Sequence, residues 1–329
     1  MTATSHAEAW AAPLIAGSIL AVGVYVVAVL HVATGRLVAG TTATLGGWAG
    51  HHTSARPSVL SAATLTEPIR RAALVLVQQR TATERPDRVT WALGASAYAG
   101  LAATGLAVVP LSSTFSIADV DAGIVVWGTV EVLAIVAVFL HGWSANSHLP
   151  LIAAYRFVAI GLSYMLLSMF VLIAVAVPAE SLRVSAIVES QAGLWNVVRQ
   201  PLGLPLFAVV ALGTTFWGPM NLADASDVAG GTSAEVSGTH RLVWQVARAA
   251  MLVSFSAMAA AVFLGGWQGP LLPGPVWMAL KTLGLLGALV AASHLVARVR
   301  PERFVTVAWT RLLPLAFLDL AMAGVEGLL

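Results

Sequence analysis

Residues 218–238 read GPMNLADASDVAGGTSAEVSG. The stretch carries Asp224, Asp227 and Glu235, is rich in Gly and Ser, and contains no lysine or arginine. Two oily runs flank it, PLGLPLFAVVALGTTFW (201–217) and VARAAMLVSFSAMAAAVFLGGW (246–267). Each run approaches the roughly 20 residues that a helix needs to cross a hydrocarbon core. A flexible acidic segment between two such runs reads as a loop at a membrane face, and the rest of the chain repeats that alternation.

Moving outward from this loop, apolar runs recur near 202–219 and 242–265, then near 11–33, 89–111, 122–142, 151–177, 275–296 and 305–325. The expected fold is all-α, a polytopic membrane protein of about eight spans forming one membrane domain over residues 1–329. Composition agrees. Hydrophobic residues make up 58% of the 329 and charged residues only 10%, against about 25% charged in a soluble domain. Mean hydropathy is +0.86. So few charges cannot clothe a water-soluble globule of this size. The N-terminal MTATSHAEAW has no basic region of the kind that precedes a cleaved signal, so the first run is expected to be a retained span.

The chain has no cysteine, which excludes disulfides and Cys-ligated iron–sulfur clusters within it. Sixteen of the seventeen basic residues are arginine and the net charge is +2. The arginines collect in segment 34–88 (Arg36, Arg56, Arg70, Arg71, Arg80, Arg85, Arg88) and in loop 297–304 (Arg298, Arg300, Arg303), while loops 112–121 and 266–274 have none. That is a topology signal, not a nucleic-acid footprint. It assigns 34–88, 297–304 and the acidic segment 218–241 to the cytoplasmic face, with both termini outside.

Inside the first basic segment, PSVLSAATLTEPIRRAALVLVQQR (57–80) is apolar enough to suggest a span, but Arg70 and Arg71 stand at its middle. Each would cost about 2.5–3.5 kcal/mol at a bilayer centre. Thr66 can cap a helix with Pro68 in its first turn. Glu67, Arg70, Arg71 and Gln78 then oppose Leu65, Ile69, Ala72, Leu76 and Val77. One interfacial amphipathic helix is the expected result.

Ionisable residues within the spans are functional suspects because burying them is expensive. They are Glu131, Arg156, Arg199, Arg248, Lys281, Arg311 and Asp319. Arg199 and Arg248 lie near span ends, where they can snorkel. Glu131 is close to mid-span, and Lys281 is the chain's single lysine. For Glu131 and Lys281 two readings stand side by side, structural pairing between spans and proton handling. His51-His52 reads as a solvated pair in a Gly-rich loop. No metal site, nucleotide loop or self-contained catalytic set is expected.

From about residue 85 onward the sequence resembles the H subunit of NADH-quinone oxidoreductase, the membrane subunit of complex I beside the quinone chamber. The matching stretches are PDRVTW (86–91), SIADVDAG (116–123), GWSANSHLPLIAAYRFVAIGLSY (142–164), IVESQAGLWNVVRQPLG (187–203), VFLGGWQGP (262–270), VWMALKTLGLL (276–286) and RLLPLAFLDL (311–320). The resemblance implies eight spans, an amphipathic helix after the first, and a quinone tunnel built from that helix and the cytoplasmic loops. It implies menaquinone or ubiquinone as substrate, with nothing bound covalently and the flavin and iron–sulfur centres in partner subunits. The implied partners are peripheral-arm electron-transfer subunits and neighbouring ion-translocating membrane subunits of a bacterial energy-transducing membrane.

By the same resemblance, Glu67, Arg70, Arg71, Arg156, Asp224, Asp227 and Glu235 are the candidates for the quinone cavity and its coupling. Asp119, Glu131 and Lys281 are the intramembrane charge-relay candidates. Asp119, Arg156 and Lys281 keep family positions, and Asp224, Asp227 and Glu235 keep acidic ones. Met165, Thr214, Trp217 and Asn221 stand where the family has Glu, Glu, Arg and Asp. The Arg- and Gly-rich approach to the amphipathic helix is not recognisable between Gly35 and Pro57. A divergent member with an interrupted or rerouted acidic route is implied, and Glu131, which the family pattern does not predict, is the candidate substitute carboxylate. The alternative is a structural anchor in a hydrogenase-like or other complex I-related assembly without quinone chemistry. An independent transporter would show inverted repeats, and the sequence has none.

Overall fold

The computed structural model describes residues 6–45 and 61–326. Arg56 and the His51-His52 pair lie outside the described residues. The long helices are α1 (His6–Leu45), α3 (Arg88–Ala107), α4 (Gly123–Ser144), α5 (His148–Ala176), α9 (Gly238–Phe263) and α10 (Gly274–Leu295). A shorter α2 (Ala62–Val77) follows α1, and α6 (Val184–Glu189), α7 (Asn196–Arg199) and α8 (Gly203–Thr214) lead into the acidic segment. The last span is α11 (Pro301–Val307), a π turn at Ala308–Leu312 and α12 (Leu313–Glu326). Among the described residues there is no strand.

Among the described residues, six helical stretches are long and apolar enough to cross a membrane: Pro13–Ala39, Gly123–Ser144, His148–Ala176, Gly238–Phe263, Gly274–Leu295 and Pro301–Val325. The two other expected spans are also helical. α3 has 20 residues, and α8 has only 12, ending at Thr214 where the apolar run had suggested 219. The reason is local. Phe216 takes a φ of +59° and Gly218 one of +60°, so the backbone leaves the right-handed helical region.

The bundle is organised around α9, which is buried almost continuously from Ala247 to Phe263. Its small residues let neighbours approach closely, as helices in lipid require. The same device joins α3 to α4: a Cβ on Gly94 would come within 2.8 Å of the backbone nitrogen of His141.

Hydrogen bonds between loops assign them to two ends. At one end Asp87 N–H donates to Ser144 O, Thr83 Oγ1 to Ala145 O, and Thr81 N–H to Ser237 Oγ. Val299 N–H donates to Pro219 O at the same end. The Arg-bearing 78–88 and 296–300 segments and the acidic loop therefore share one face. At the other end Ile124 N–H donates to Leu182 O, and Gln268 Nε2 to Val188 O.

The amphipathic helix starts a turn earlier than its sequence suggested. Ser61, not Thr66, precedes it, and Pro68 lies inside it. The cause is tertiary. Arg36 of α1 donates to Ser61 Oγ (3.2 Å) and Thr64 Oγ1 (2.6 Å), pinning that turn. Tyr25 Oη also donates to Leu65 O at 2.8 Å. α2 thus lies against α1, with Ile69, Leu76 and Val77 exposed.

Candidate functional site

Between α1, α2 and α9 lies a chamber of about 880 Å³, close to the upper end of the usual range for small-molecule sites. Ala21, Val24 and Ala28 of α1 and Ile69, Ala72 and Val75 of α2 make an apolar sleeve. Its far wall is different. His31, Arg71, Gln245 and Arg248 line it together with Phe216–Gly218, Asn221 and Ser293.

The acidic loop holds that wall from behind. Arg248 Nη1 donates to Asp224 Oδ2 at 2.8 Å, Nε to Thr215 O at 3.3 Å, and Nη2 to Phe216 O. Arg248 also lies over the Phe216 ring, 5.4 Å from its centroid. These contacts hold Phe216 in its left-handed conformation, one that an aromatic residue adopts only under constraint. Asp224 is only 5% exposed and also accepts from Thr232 Oγ1, Ser233 Oγ (3.1 Å) and Trp244 Nε1 (3.3 Å). Gly231 is required there: its φ is +63° and a Cβ would overlap the Ala223 carbonyl.

Asp227 bridges two arginines, accepting from Arg156 Nη1 at 2.8 Å and Arg298 Nη2 at 3.0 Å. Partial burial pushes its carboxyl up. The Arg156 hydrogen bond and charge, with Arg298 adding, outweigh that and hold it below the usual aspartate range. Glu235 accepts from Ser147 Oγ at 3.0 Å. On α2, Glu67 accepts from Arg71 Nε at 2.9 Å and from Arg70. The Arg71 bond is the main reason its carboxyl sits below the usual range. Both arginines are exposed, and of the two Arg71 lines the chamber.

The three relay candidates are dispersed. Asp119 lies in the loop after α3 at the opposite end, where Arg183 and Ser185 bond to it. Lys281 of α10 is near that end too. Its Nζ donates to the carbonyls of Leu264 (2.6 Å), Gly266 (3.0 Å) and Gln268 (2.6 Å). It also sits 4.4 Å from the Trp195 ring centroid. Glu131 is buried in α4, one oxygen accepting from Trp127 Nε1 (2.7 Å) and Ser168 Oγ (2.8 Å). A void of about 10 Å³ beside it is lined by Tyr164, Met165 and Thr214 among others. Asp319 of α12 is buried against Gly203, the first residue of α8, where the helix dipole favours an acid.

Sequence reasoning listed Arg248 among the suspect ionisable residues, with snorkelling as its structural reading, and passed over His31, Trp217 and Gln245 as chamber residues. A histidine inside the oily run VYVVAVLHVA (24–33) was itself a signal. Arg248 stands four residues after Trp244, and both side chains reach Asp224.

The family described as NADH dehydrogenase matches residues 17–324. The chain is 30% identical over 250 residues to the NADH-quinone oxidoreductase H 2 subunit of Rhodopseudomonas palustris (strain ATCC BAA-98 / CGA009), covering 74% of this chain and 78% of that one. The chain belongs to the H-subunit family of NADH-quinone oxidoreductase. As a member it is a multi-pass membrane subunit of a quinone oxidoreductase, working with partner subunits. The chamber and the acidic loop behind it fall within the matched region.

Proposed function

We propose that this chain forms the membrane end of the quinone chamber in a complex I-like oxidoreductase and passes the effect of quinone chemistry to neighbouring ion-translocating subunits. The chamber carries this reading. A prenylated menaquinone or ubiquinone needs an apolar sleeve for its tail and a polar wall for its head, and the cavity of about 880 Å³ offers both. Electrons come from iron–sulfur and flavin centres in the docked peripheral subunits. The face shared by Arg80, Arg298 and the acidic loop is cytoplasmic by its basic residues, and both termini lie on the other side.

Coupling rests on the charges behind the chamber. Asp224 touches Arg248, and Arg248 faces the ligand space, so a change in ligand charge or position is felt at the acidic loop. Deeper in, Glu131 serves as the titratable group of the route. It is the carboxylate that lies beside Met165 and Thr214, with a void on the scale of one water molecule next to it.

The test uses the purified native complex and a photoreactive quinone. Adducts on α1, α2 or α9 are expected. A complex that reduces quinone yet gives no adduct on this chain overturns the chamber reading, and an assembled complex that reduces no quinone makes the chain an anchor. For coupling, Glu131→Gln keeps an oxygen to accept from Trp127 and Ser168, so stability changes by less than about 1 kcal/mol. Quinone turnover continues while proton movement falls. Undiminished proton movement in that variant removes Glu131 from the route.

A further inference from the structure

We propose that the exposed face of the last span around Arg311 is an interface, docking a transmembrane helix of a neighbouring membrane subunit that carries a carboxylate at the same depth. The inference stands apart from the quinone reading and needs only that the chain works inside a membrane complex.

Arg311 lies in the π turn Ala308–Leu312, near the middle of the apolar stretch Pro301–Val325. Arg303 marks the start of that stretch, and Arg311 is eight residues further on, about 12 Å at 1.5 Å per residue. Half of a hydrocarbon core is about 15 Å, so the Arg311 backbone stands near the midplane. Snorkelling shortens that depth without reaching the headgroups. The side chain is exposed, and among the described residues no hydrogen bond or ion pair reaches it. Other charges in the spans are met within the chain. Arg156 has Asp227, Arg248 has Asp224, Glu131 has Trp127 and Ser168, and Lys281 has its carbonyls. Asp319, the nearest acid along the helix, is eight residues on and buried against Gly203. It faces inward, away from Arg311.

Hydrocarbon offers a guanidinium no partner, and a charge at this depth is among the costliest groups to leave facing lipid. A lipid phosphate lies in the headgroup layer, above it. A carboxylate on a neighbouring helix is the complement, opposite in charge and matched to the two-pronged guanidinium. The backbone adds a second polar feature. Leu313 N–H reaches back to Ala308 O, and Pro314 has no N–H to give to the Trp309 or Thr310 carbonyl. Turns of this π type gather at functional sites. Beyond Arg311 the same side of the helix continues as Pro314, Leu318, Met322 and Val325, in steps of three or four residues and all exposed. That stripe gives a second helix a surface to pack on, and Arg311 fixes what the second helix must carry.

The test uses the native complex in its own membrane. With a photoreactive phenylalanine analogue in place of Leu318, adducts are expected on a neighbouring subunit's helix that has Asp or Glu inside its span. Adducts on lipid alone, or on a helix without an acid, overturn the proposal. Arg311→Leu breaks no hydrogen bond or ion pair within the chain, so the amount of chain in the membrane stays constant. The neighbour should then dissociate in detergent about thirtyfold faster or more, as when one partner of a buried charge pair is lost. Arg311→Lys keeps the charge and recovers most of the retention. Neutralising the acid on the cross-linked helix together with Arg311→Leu restores retention, and a double variant no better than either single one overturns the pairing. Should Arg311→Leu block assembly outright, that double variant decides in the same way. Unchanged retention in Arg311→Leu also overturns the proposal, as does loss of a bound anionic lipid with every subunit kept.

Discussion

The two ends of the bundle treat charge in opposite ways. At the end away from the chamber, all three hydrogens of the Lys281 ammonium go to backbone carbonyls, and Trp195 and Trp277 flank it. Nearby, Arg183 is bonded by Asp119 and Asp121. Those charges fasten loops to helix ends. At the chamber end Arg248 also has its carboxylate and carbonyl partners, but they lie behind it, and its front lines open space. Both cations are intramembrane and both are costly to bury. What separates a fastening from a site is whether the charge has a face left over.

Removing the fastening is expected to have the largest effect. Lys281→Met strands three carbonyls, one buried and two partly buried, at about 1 kcal/mol each, so the complex should melt several degrees lower or fail to assemble. The quinone KM of whatever assembles should be unchanged; a lowered melting point together with a raised KM would erase the distinction between the two ends. Arg248→Leu comes next. It leaves Asp224 buried without its cation, costing about 2 kcal/mol, under the range for fully buried pairs because the chamber hydrates Arg248. Adding Asp224→Asn should restore the melting point but not quinone affinity, and recovery of both would make Arg248 a second fastening.

The smallest effect belongs to Asp227. Its folded pKa is depressed, so its contribution is complete above the ordinary value of 3.8 and is lost as pH falls through the lower folded value. Being half-exposed, it contributes under about 1 kcal/mol. Asp227→Asn should lower stability slightly at neutral pH and flatten the acid limb of a stability-versus-pH curve below about pH 4. A variant that melts like the wild type at both pH values would show that the bridge to Arg156 and Arg298 contributes nothing.

Much of the fold was legible because hydrocarbon imposes a length on any helix that crosses it, and a charge in an oily run cannot hide. That is how Glu131 and Lys281 stood out from sequence alone. Local pattern failed where a distant residue decides. The start of α2 moved from Thr66 to Ser61 because Arg36, 25 residues before Ser61, hydrogen-bonds there. The end of α8 moved because Phe216 turns to meet Arg248. The acids of the loop were readable as acids, but their partners were not, since Arg156, Arg248 and Arg298 come from separate parts of the chain. The chamber was hidden for the same reason: His31, Arg71 and Arg248 have nothing in common along the sequence.

The shortness of α8 has a mechanical consequence. Twelve residues reach only about 18 Å at 1.5 Å per residue, well short of a hydrocarbon layer of about 30 Å. The helix therefore ends before a full crossing is complete, and the polar segment that follows Phe216 begins directly behind the chamber. On the proposed reading, a quinone entering from the side brings its ring toward that segment while its tail stays among lipid chains. The membrane would then keep its hold on the tail, and the molecule would never be fully drawn out of the solvent in which it diffuses.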